Sequence, residues 1–336
     1  MAVRRQVRLR LALPWFAEAV AAAADERAGV TRAPATEWLI TRGRSLAGHS
    51  GGWRAWLMGG AACPPRLLQR FPAGPCVRAL QLGSRVEGYW ACARPVHLLT
   101  AIDHLQIAPT VVALEAEEAA AVARDLSTHF ADRGFVFHAD RPGPDWALAC
   151  PSPTDCVSCE PAGVSGRNLR ELMPAGRDGR GVRSLMNEIQ MLLHDHPVND
   201  HRAARGLPVV NSLWLWGFGC AEAVTQFAPP VICTDDAWLA GLWMLHGRKA
   251  RPIGELAELM RIDGEALLGW CGLPATAPGA AIEEVERSCF APMRSALRSG
   301  AVEALEMLLG ERAYVVDRGA RLRFFRRGKP LSELLA

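Results

Sequence analysis

The sequence predicts an α/β protein whose core is a sheet of parallel strands flanked by helices. The first observation is the alternation of apolar and other residues from Val7 to Leu13, which fits a strand near the start of the chain. The second is the segment from Val231 to Gly247, in which a short apolar strand meets Thr234, two aspartates and then an apolar helix. Threonine is a good N-cap residue, and Asp235 and Asp236 suit the positive end of a helix dipole. A strand, a polar turn and a helix in this order favour a parallel α/β core.

The middle of the chain predicts a smaller α+β subdomain. Its predicted elements are a strand at Pro95 to Leu99, a helix that begins near Glu115 and ends before Gly134, and strands at Phe135 to Phe137 and Trp146 to Ala149. A connection rich in Pro, Ser and Gly at residues 151–181 closes this subdomain. We therefore expect a core built from residues 1–85 and 185–336, interrupted by an inserted α+β subdomain at residues 86–184.

The later segments return to the core. An amphipathic helix is predicted from Val182 to Leu193, and a buried strand from Val209 to Trp216. The last third of the chain is predicted to be mostly helical, with a helix end at Gly310. Ala313 to Phe325 is predicted to form a closing hairpin that turns near Asp317.

Composition limits the classes of function. The chain has 336 residues, of which 50% are hydrophobic, and a formal net charge of +3, so it can bury a large core and has no overall field suited to nucleic acid. No apolar run approaches the length of a membrane span, so we expect no membrane partner. Ten dispersed cysteines do not form the dense pattern of a secreted disulfide scaffold. The basic and apolar N-terminus could pass for a signal peptide, but Pro14 and Glu18 interrupt its apolar part, and we expect a cytoplasmic protein.

Two short motifs predict little chemistry by themselves. Cys156 and Cys159 have the spacing of a zinc knuckle or a redox pair, but no second pair follows at a metal-binding distance. Gly217 and Gly219 lack the third glycine of a dinucleotide-binding fingerprint and are more typical of a tight turn at the end of a strand.

Two clusters of ionisable residues also allow structural interpretations. His194, His196 and His201 are close in sequence, but positions two apart on a helix face different ways, so metal binding competes with helix-capping roles. The one basic cluster is Arg318, Arg321, Arg323, Arg326, Arg327 and Lys329. On the predicted hairpin, most of these side chains would project from the solvent face of an edge strand, so we do not expect nucleic acid as a partner.

A longer motif lies between Asn187 and Gly219. A helix ends in His-Pro-Val-Asn, an arginine follows three residues later, and a strand then ends in Trp-Leu-Trp-Gly-Phe-Gly. The residues of the motif are His196, Pro197, Val198, Asn199, Arg202, Gly206, Asn211, Trp214, Trp216, Gly217 and Gly219. The segment resembles the archaeal-type cofactor-independent phosphoglycerate mutases of the alkaline phosphatase superfamily. This resemblance implies an alkaline-phosphatase-like core and suggests these ligand-binding residues: His196, Asn199, Arg202, Asn211, Trp216, Gly217 and Gly219.

The chain is similar also to bacterial regulatory proteins of the RpfE type. The shared features are the run Asn-Glu-Ile-Gln-Met-Leu-Leu at residues 187–193, the Asn-Ser-Leu-Trp strand at residues 211–214 and an upstream Asp-Pro-Val-His motif. In this chain Arg94 stands in place of the acidic residue of the last motif. The resemblance covers residues 90–247 best, and it implies a regulatory role.

The metal site of the mutases is expected to be missing. By the resemblance, those enzymes hold two divalent ions with an Asp-Gly after the first strand and with Asp and His residues in the C-terminal part, and a serine carries the phosphoryl group. Such a pair of ions needs carboxylate and imidazole ligands. Here Pro14 to Phe16 follow the first strand, no histidine follows Gly247, and the only aspartates after it are Asp263 and Asp317. We therefore expect neither a metal ion nor a cofactor.

These observations predict a degenerate phosphoglycerate-mutase-like protein that has lost its metal site and has a regulatory or ligand-sensing role, and they leave open whether any enzymatic activity survives. Asn199, Arg202 and Asn211 are the predicted contacts of a phosphorylated or carboxylated small molecule, because planar amides and a guanidinium suit such groups. The structural alternative is that they tie the loop after the helix to the sheet. Two other functions stay open, namely an active mutase or phosphatase with rearranged ligands and a module that binds a protein partner. The candidates for rearranged ligands are His194, Asp195, His196, Asp200 and His201.

Overall fold

The computed structural model divides the chain into two compact units. It describes residues 7–25, 32–46, 52–59, 71–100, 105–108, 112–141, 143–161, 168–224, 228–272, 277–323, 325–326 and 328–335. Unit 1 comprises the described residues within Met1–Pro64, Ala228–Asp236 and Lys249–Ala336, and unit 2 those within Pro65–Phe227 and Ala237–Arg248. Among these residues, every helix is too short or too polar to span a bilayer.

Strands and helices alternate along much of the chain. The strands are β1 (Val7–Leu13), β2 (Arg44–Ser45), β3 (Tyr89–Val96), β4 (Leu98–Thr100), β5 (Leu105–Ile107), β6 (Val136–His138), β7 (Trp146–Cys150), β8 (Ser212–Cys220), β9 (Val231–Thr234), β10 (Gly264–Gly269), β11 (Val302–Leu309) and β12 (Arg312–Asp317). The helices are α1 (Phe16–Asp25), α2 (Pro34–Arg42), α3 (Gly52–Gly59), α4 (Ala73–Leu82), α5 (Ala116–His129), α6 (Gly179–His194), α7 (Pro197–Ala204), α8 (Ala237–Leu245), α9 (Leu256–Leu259), α10 (Pro278–Val285), α11 (Ala291–Ser299) and α12 (Leu331–Leu335). A π-helical turn at Glu286–Phe290 joins α10 to α11.

Unit 1 is built around a six-stranded sheet in the order β2-β12-β11-β1-β10-β9. The strands β9, β10, β1 and β11 are parallel, whereas β12 and β2 run antiparallel to their neighbours. The central strand β1 begins and ends at the residues predicted from the sequence. Leu11 lies opposite Leu268 on one side and Met307 on the other, and all three side chains are buried. The apolar residues of these strands are thus explained by burial inside a parallel sheet.

Strand β11 corrects the prediction that the last third of the chain is mostly helical. Its sequence, Val-Glu-Ala-Leu-Glu-Met-Leu-Leu, consists largely of residues that favour helices. In the structure it pairs in parallel with β1 and antiparallel with β12. Helix propensities of ordinary residues differ by at most about 0.7 kcal/mol each. Burial of Leu305 and Met307 in the sheet therefore outweighs the local preference.

The predicted closing hairpin from Ala313 to Phe325 is wrong. The hairpin is formed by β11 and β12 and turns at Gly310 and Glu311, while residues after Asp317 form a short 3-10 helix. Gly310 has a φ of 62°, a left-handed conformation that glycine adopts without strain. Because the residues of β11 were predicted to be helical, Gly310 was predicted to end a helix. The hairpin was therefore predicted too close to the C-terminus.

Four arginines of the basic cluster bind the carboxyl ends of two helices. The carbonyl acceptors are Gly300 for Arg318 at 3.1 Å, Leu297 for Arg321 at 3.1 Å, Arg42 for Arg323 at 2.6 Å and Gly43 for Arg326 at 2.7 Å. These carbonyls lie at the ends of α11 and α2, where helix carbonyls lack partners within the helix and the dipole is negative. The cluster therefore has a capping role, and its member Arg327 lies outside the described residues.

Unit 2 contains an antiparallel four-stranded sheet in the order β6-β7-β3-β8. Helix α4 packs against β3, β7 and β8, and α6 packs against β8. Helix α5 begins with a reciprocal capping box between Glu115 and Glu118, close to the predicted start. The predicted inserted subdomain at residues 86–184 falls within this unit, which extends beyond it at both ends. The subdomain boundaries stay a prediction.

Helices α4 and α8 approach each other so closely that one position accepts only glycine. A Cβ atom at Gly241 of α8 would lie 1.8 Å from the carbonyl oxygen of Cys76 in α4. We expect Gly241→Ala to lower the free energy of unfolding by about 3 kcal/mol, because the two helices must separate. Gly181→Ala is the matched control, since a Cβ there meets nothing within 4 Å and alanine favours a helix by about 1 kcal/mol. Urea denaturation measures both, and a Gly241→Ala protein as stable as the wild type would contradict this packing.

Candidate functional site

His196 of the predicted site is the N-cap residue of α7 in unit 2. Its Nδ1 accepts a hydrogen bond from the backbone N–H of Val198 at 3.2 Å. Because Nδ1 is an acceptor, the neutral ring carries its proton on Nε2. Nε2 is buried and faces the Asp125 carboxylate at 3.4 Å without forming a hydrogen bond. The imidazole therefore has a capping contact on one side and a carboxylate on the other.

Asn199 and Asn211 bind backbone groups with their side-chain amides. Asn199 is buried, donates to the carbonyls of Leu193 at 2.7 Å and Val210 at 2.8 Å, and accepts from the Val210 N–H at 2.9 Å. Asn211 accepts from the N–H of Leu98 at 2.7 Å and donates to its carbonyl at 2.9 Å. Asn199 thus ties the end of α6 to the segment before β8, and Asn211 ties that segment to β4.

Arg202 holds α7 against α5. Its Nε donates to the carbonyl of Pro208 at 2.8 Å, and one terminal nitrogen donates to the Glu118 carboxylate at 2.6 Å. The Arg202 side chain is 3% exposed and that of Glu118 13%, so the pair is largely withdrawn from water. The same Glu118 oxygen accepts from the N–H of Glu115 in the capping box of α5. This guanidinium is occupied by groups of unit 2 itself.

Trp216 completes an ion-pair network on the four-stranded sheet. Its indole N–H donates to a carboxylate oxygen of Asp145 at 3.1 Å. Arg94 binds both oxygens of the same carboxylate and lies against the Trp216 ring. Arg94, which replaces the acidic residue of the RpfE-type motif, thus pairs with Asp145, the residue directly before β7.

Gly217 and Gly219 lie inside β8 and not in the tight turn that was predicted for them. Gly217 has a φ of 64°, and the register between β3 and β8 shifts near it. A Cβ at Gly217 would lie 2.7 Å from the Ala73 side chain, and one at Gly219 would lie 2.4 Å from Pro72. The two glycines therefore allow β8 to approach the start of α4 closely.

The contacts of these predicted site residues support the structural alternative, and their ligand-binding role stays a prediction. The candidates for rearranged metal ligands do not converge either. His194 and Asp195 are 83% and 94% exposed, and Asp200 and His201 are exposed on α7. Within the part of the chain that the structure describes, no group of three His, Cys, Asp or Glu residues is placed to hold a metal ion.

The environment of Cys156 does not favour a reactive thiol. Burial raises the pKa of the Cys156 thiol to about 11, although the nearby Arg183 opposes the shift. Metal binding and redox chemistry both use the thiolate, which this environment disfavours. Cys159 is exposed, and its carbonyl accepts from the indole of Trp214 at 2.8 Å.

The buried Arg202 yields a stability prediction. Arg202→Ala should lower the free energy of unfolding by about 3 kcal/mol without any ligand present, because it removes the buried partner of Glu118 and leaves only Arg205, 4.0 Å away, beside that carboxylate. Arg202→Lys should lose much of this stability, since an ammonium cannot reproduce the forked contacts. Arg205→Ala is the matched control, because Arg205 is exposed, pairs with the exposed Glu115 and reaches Glu118 only at 4.0 Å, so its loss should change little. Urea denaturation of the three variants would contradict a structural role for Arg202 if its loss were as mild as that of Arg205.

A second constellation lies in unit 1, at the carboxyl end of the parallel strands. Strand β9 ends at Thr234 and is followed by Asp235 and Asp236, and β10 ends before Cys271. Ligand sites of open α/β sheets form at this edge. The sequence analysis assigned the two aspartates to a helix N-terminus and could not identify their partners. Two adjacent acidic residues directly after a buried strand were the one feature of the sequence that could have indicated a site here.

Both oxygens of each aspartate are bound by groups of unit 1. Arg54 from α3 donates through Nε to Asp236 Oδ1 at 3.1 Å and through a terminal nitrogen to Oδ2 at 2.6 Å. The Arg54 side chain is 14% exposed and that of Asp236 5%. Asp235 accepts from the backbone N–H of Cys271 at 2.7 Å and of Gly272 at 2.8 Å, one on each oxygen.

The Cys271 thiol lies against this acidic pair. Its Sγ is 3.7 Å from Oδ2 of Asp236. Burial raises the pKa of the thiol far above its ordinary value, and the negative charges of Asp236 and Asp235 raise it further, while Arg54 opposes them. Because only the thiolate is a strong nucleophile, this cysteine is not suited to nucleophilic catalysis.

The raised pKa predicts slow alkylation of Cys271. At pH 8.5, iodoacetamide should modify Cys271 far more slowly than the exposed Cys159, as followed by peptide mass spectrometry. Asp236→Asn should lower the pKa of Cys271 and speed its modification, because it removes a negative charge that lies beside the thiol. The fully buried Cys289 is the internal control, since burial and Glu286 raise its pKa and neither changes. Equal rates at Cys271 in the two proteins would contradict the assigned effect of Asp236.

A groove with a volume of about 390 Å³ lies on the six-stranded sheet of unit 1. Both positively and negatively charged side chains line it. The charged lining residues are Arg8, Arg10, Glu265, Glu303, Glu306 and Asp317. Arg10 pairs with Glu306 at 2.5 Å and Arg8 with Glu303 at 3.5 Å. Burial raises the pKa of Glu265, and Arg10 opposes the shift. The mixture of charges selects no class of ligand.

Comparison with known proteins gives a local similarity and a shared fold. No protein-family model matches the chain. It is 36% identical over 110 residues to the probable 2,3-bisphosphoglycerate-independent phosphoglycerate mutase of Geobacter sulfurreducens, a stretch that covers 33% of this chain and 26% of that protein. It is 34% identical over 73 residues to the 2,3-bisphosphoglycerate-independent phosphoglycerate mutase of Methanothrix thermoacetophila, covering 22% of this chain and 19% of that protein. The similarity thus spans about a quarter or less of the length of these curated relatives.

The fold likeness extends over nearly the whole chain. The PH0037 protein of Pyrococcus horikoshii aligns with 98% of this chain and 92% of its own, with a TM-score of 0.54 and 14% sequence identity. The predicted fold class, an α/β core with a central sheet flanked by helices, is confirmed. The relationship to phosphoglycerate mutases is supported in the matched stretches of sequence.

Proposed function

We propose that this chain is a phosphoglycerate-mutase-like protein that acts without mutase chemistry, in a regulatory or ligand-sensing role. The observation that supports the proposal is the hydrogen bonding of the two aspartates at the carboxyl edge of the unit 1 sheet. Asp235 and Asp236 are each bound on both oxygens, one by backbone N–H groups and the other by Arg54. The carboxylates at this edge therefore serve the protein's own contacts.

The residues present do not fit the two divalent metal ions that the resemblance implies. A divalent cation beside Asp236 would face the positive charge of Arg54 at short range, and a repulsion of this kind is strong where water is excluded. Of the nine histidines, only His49 falls within the sequence ranges of unit 1, and it lies outside the described residues.

The contacts of the Asn187 to Gly219 segment support the same proposal. Two of its buried polar side chains, those of Asn199 and Arg202, bind backbone and carboxylate groups of unit 2. A resemblance that depends on residues with structural contacts indicates a shared fold, and it does not require a shared mutase reaction. The partner that we propose is a phosphorylated or carboxylated small molecule, with a protein partner as the second class. The arginines that cap α2 and α11 give no support to nucleic acid as a third.

Metal analysis and an activity assay test the proposal together. We expect the purified protein to contain no stoichiometric divalent metal and to show no interconversion of 2- and 3-phosphoglycerate in a coupled assay with added manganese. Manganese-dependent turnover that is lost on substitution of Asp236 would place the chemistry at the sheet edge and overturn the proposal. Turnover lost instead on substitution of His194 or His201 would identify the enzyme with rearranged ligands.

A further inference from the structure

We infer that the segment around Leu322 and Phe325 of unit 1 is a docking site for an acidic amphipathic helix of a partner protein. The inference rests on the proposed regulatory role and gives a place and a chemistry to its protein partner. Leu322 is 76% exposed and Phe325 71%. Within the described residues of unit 1, the other large hydrophobic side chains are buried or partly buried. The exposed apolar surface of this unit is thus concentrated in one short segment.

Contacts on both sides of the two apolar side chains hold this segment in place. Arg321 and Arg323, which flank Leu322, donate to carbonyls at the ends of α11 and α2. Arg326, next to Phe325, donates to a further carbonyl directly after α2. The segment is therefore ordered before any partner arrives. Binding to an ordered segment avoids much of the entropy cost of fixing a loop.

The surroundings of the two apolar side chains are strongly basic. The four capping arginines of the basic cluster are joined by Arg42 and Arg298 in the last turns of α2 and α11, and by Arg44, which pairs with Asp317 at 3.6 Å. A capping contact uses the donors of a guanidinium and leaves its charge in place. The opposing charges are the Asp317 carboxylate and the carboxyl ends of the two helices, each equivalent to about half a negative charge, so a large positive excess remains.

An apolar centre surrounded by cations favours one class of partner. A nucleic acid would pair its phosphates with the arginines and leave the Leu322 side chain beside a charged backbone. Two apolar side chains also bury too little area to hold a protein at a bilayer surface, where even a myristoyl chain gives only marginal binding. An acidic amphipathic helix presents an apolar stripe between carboxylates, so it covers both side chains and pairs with the arginines around them.

Binding of a designed peptide tests the inference. The probe is a fluorescent helical peptide of about 15 residues, with leucine and phenylalanine on one face and glutamate on the other. We expect it to bind the wild type and to bind the Leu322→Ser, Phe325→Ser double variant about tenfold more weakly in anisotropy titrations, because apolar anchors dominate the affinity of an interface. Met191→Ser is the matched control, since Met191 is a 75% exposed side chain of unit 2, and it should bind as the wild type does.

The charge requirement is tested separately. A peptide with lysine in place of glutamate should not bind, and Arg298→Glu should weaken binding of the acidic peptide several-fold, with a smaller loss at high salt. Failure of the acidic peptide to bind, or equal binding by the double variant, would overturn the inference. So would binding of phosphatidylglycerol vesicles or single-stranded DNA in place of the peptide, or self-association of the wild type, if the double variant abolished it. Mutase activity in the wild type would count against the proposed function alone, and the titrations do not measure it.

Discussion

Unit 1 depends on the parallel pairing of β1 between two strands from the other end of the chain. Leu11 lies between Leu268 and Met307, and the same register places the last residues of β9 and β10 side by side, Thr234 opposite Gly269. Because β9 and β10 end at the same edge, Asp235 and Asp236 lie beside the loop that contains Cys271. The chemistry of the edge thus follows from a long-range pairing that no local segment contains.

The difference between local sequence patterns and long-range pairing explains which elements could be predicted from the sequence. Strand β1 and the start of α5 were predictable, because alternation and acidic residues in a first helical turn are patterns of neighbouring residues. Strand β11 was not, because its helix-favouring residues become a strand only through β1 and β12. The two aspartates at the sheet edge could be identified from the sequence as residues that follow a strand. Arg54, the partner of Asp236, could not, because it lies on a distant helix in a part of the sequence without a clear pattern. The contacts of Arg202 were likewise hidden, since Glu118 lies far from it in sequence.

Arginine is used in this protein largely to satisfy its own backbone and carboxylates. Arg321 and Arg326 bind carbonyls at helix ends, Arg202 binds a carbonyl and a carboxylate, and Arg54 binds a carboxylate. A planar group with five donors can serve several carbonyls or both oxygens of a carboxylate at once. A count of basic residues therefore says little about anionic partners, and the structural position of each guanidinium decides its role.

The Asn187 to Gly219 segment shows how a motif can indicate a fold without indicating a reaction. Asn199 and Arg202 connect α6, α7 and β8, and Gly217 lets β8 approach α4. These tasks are needed by any chain that folds unit 2 in this way, whatever it binds. Catalysis by a metal pair makes different demands, since it requires open carboxylates and imidazoles at one place. In unit 1 the two aspartates at the sheet edge are bound by N–H donors and a guanidinium, so they are not open in this way.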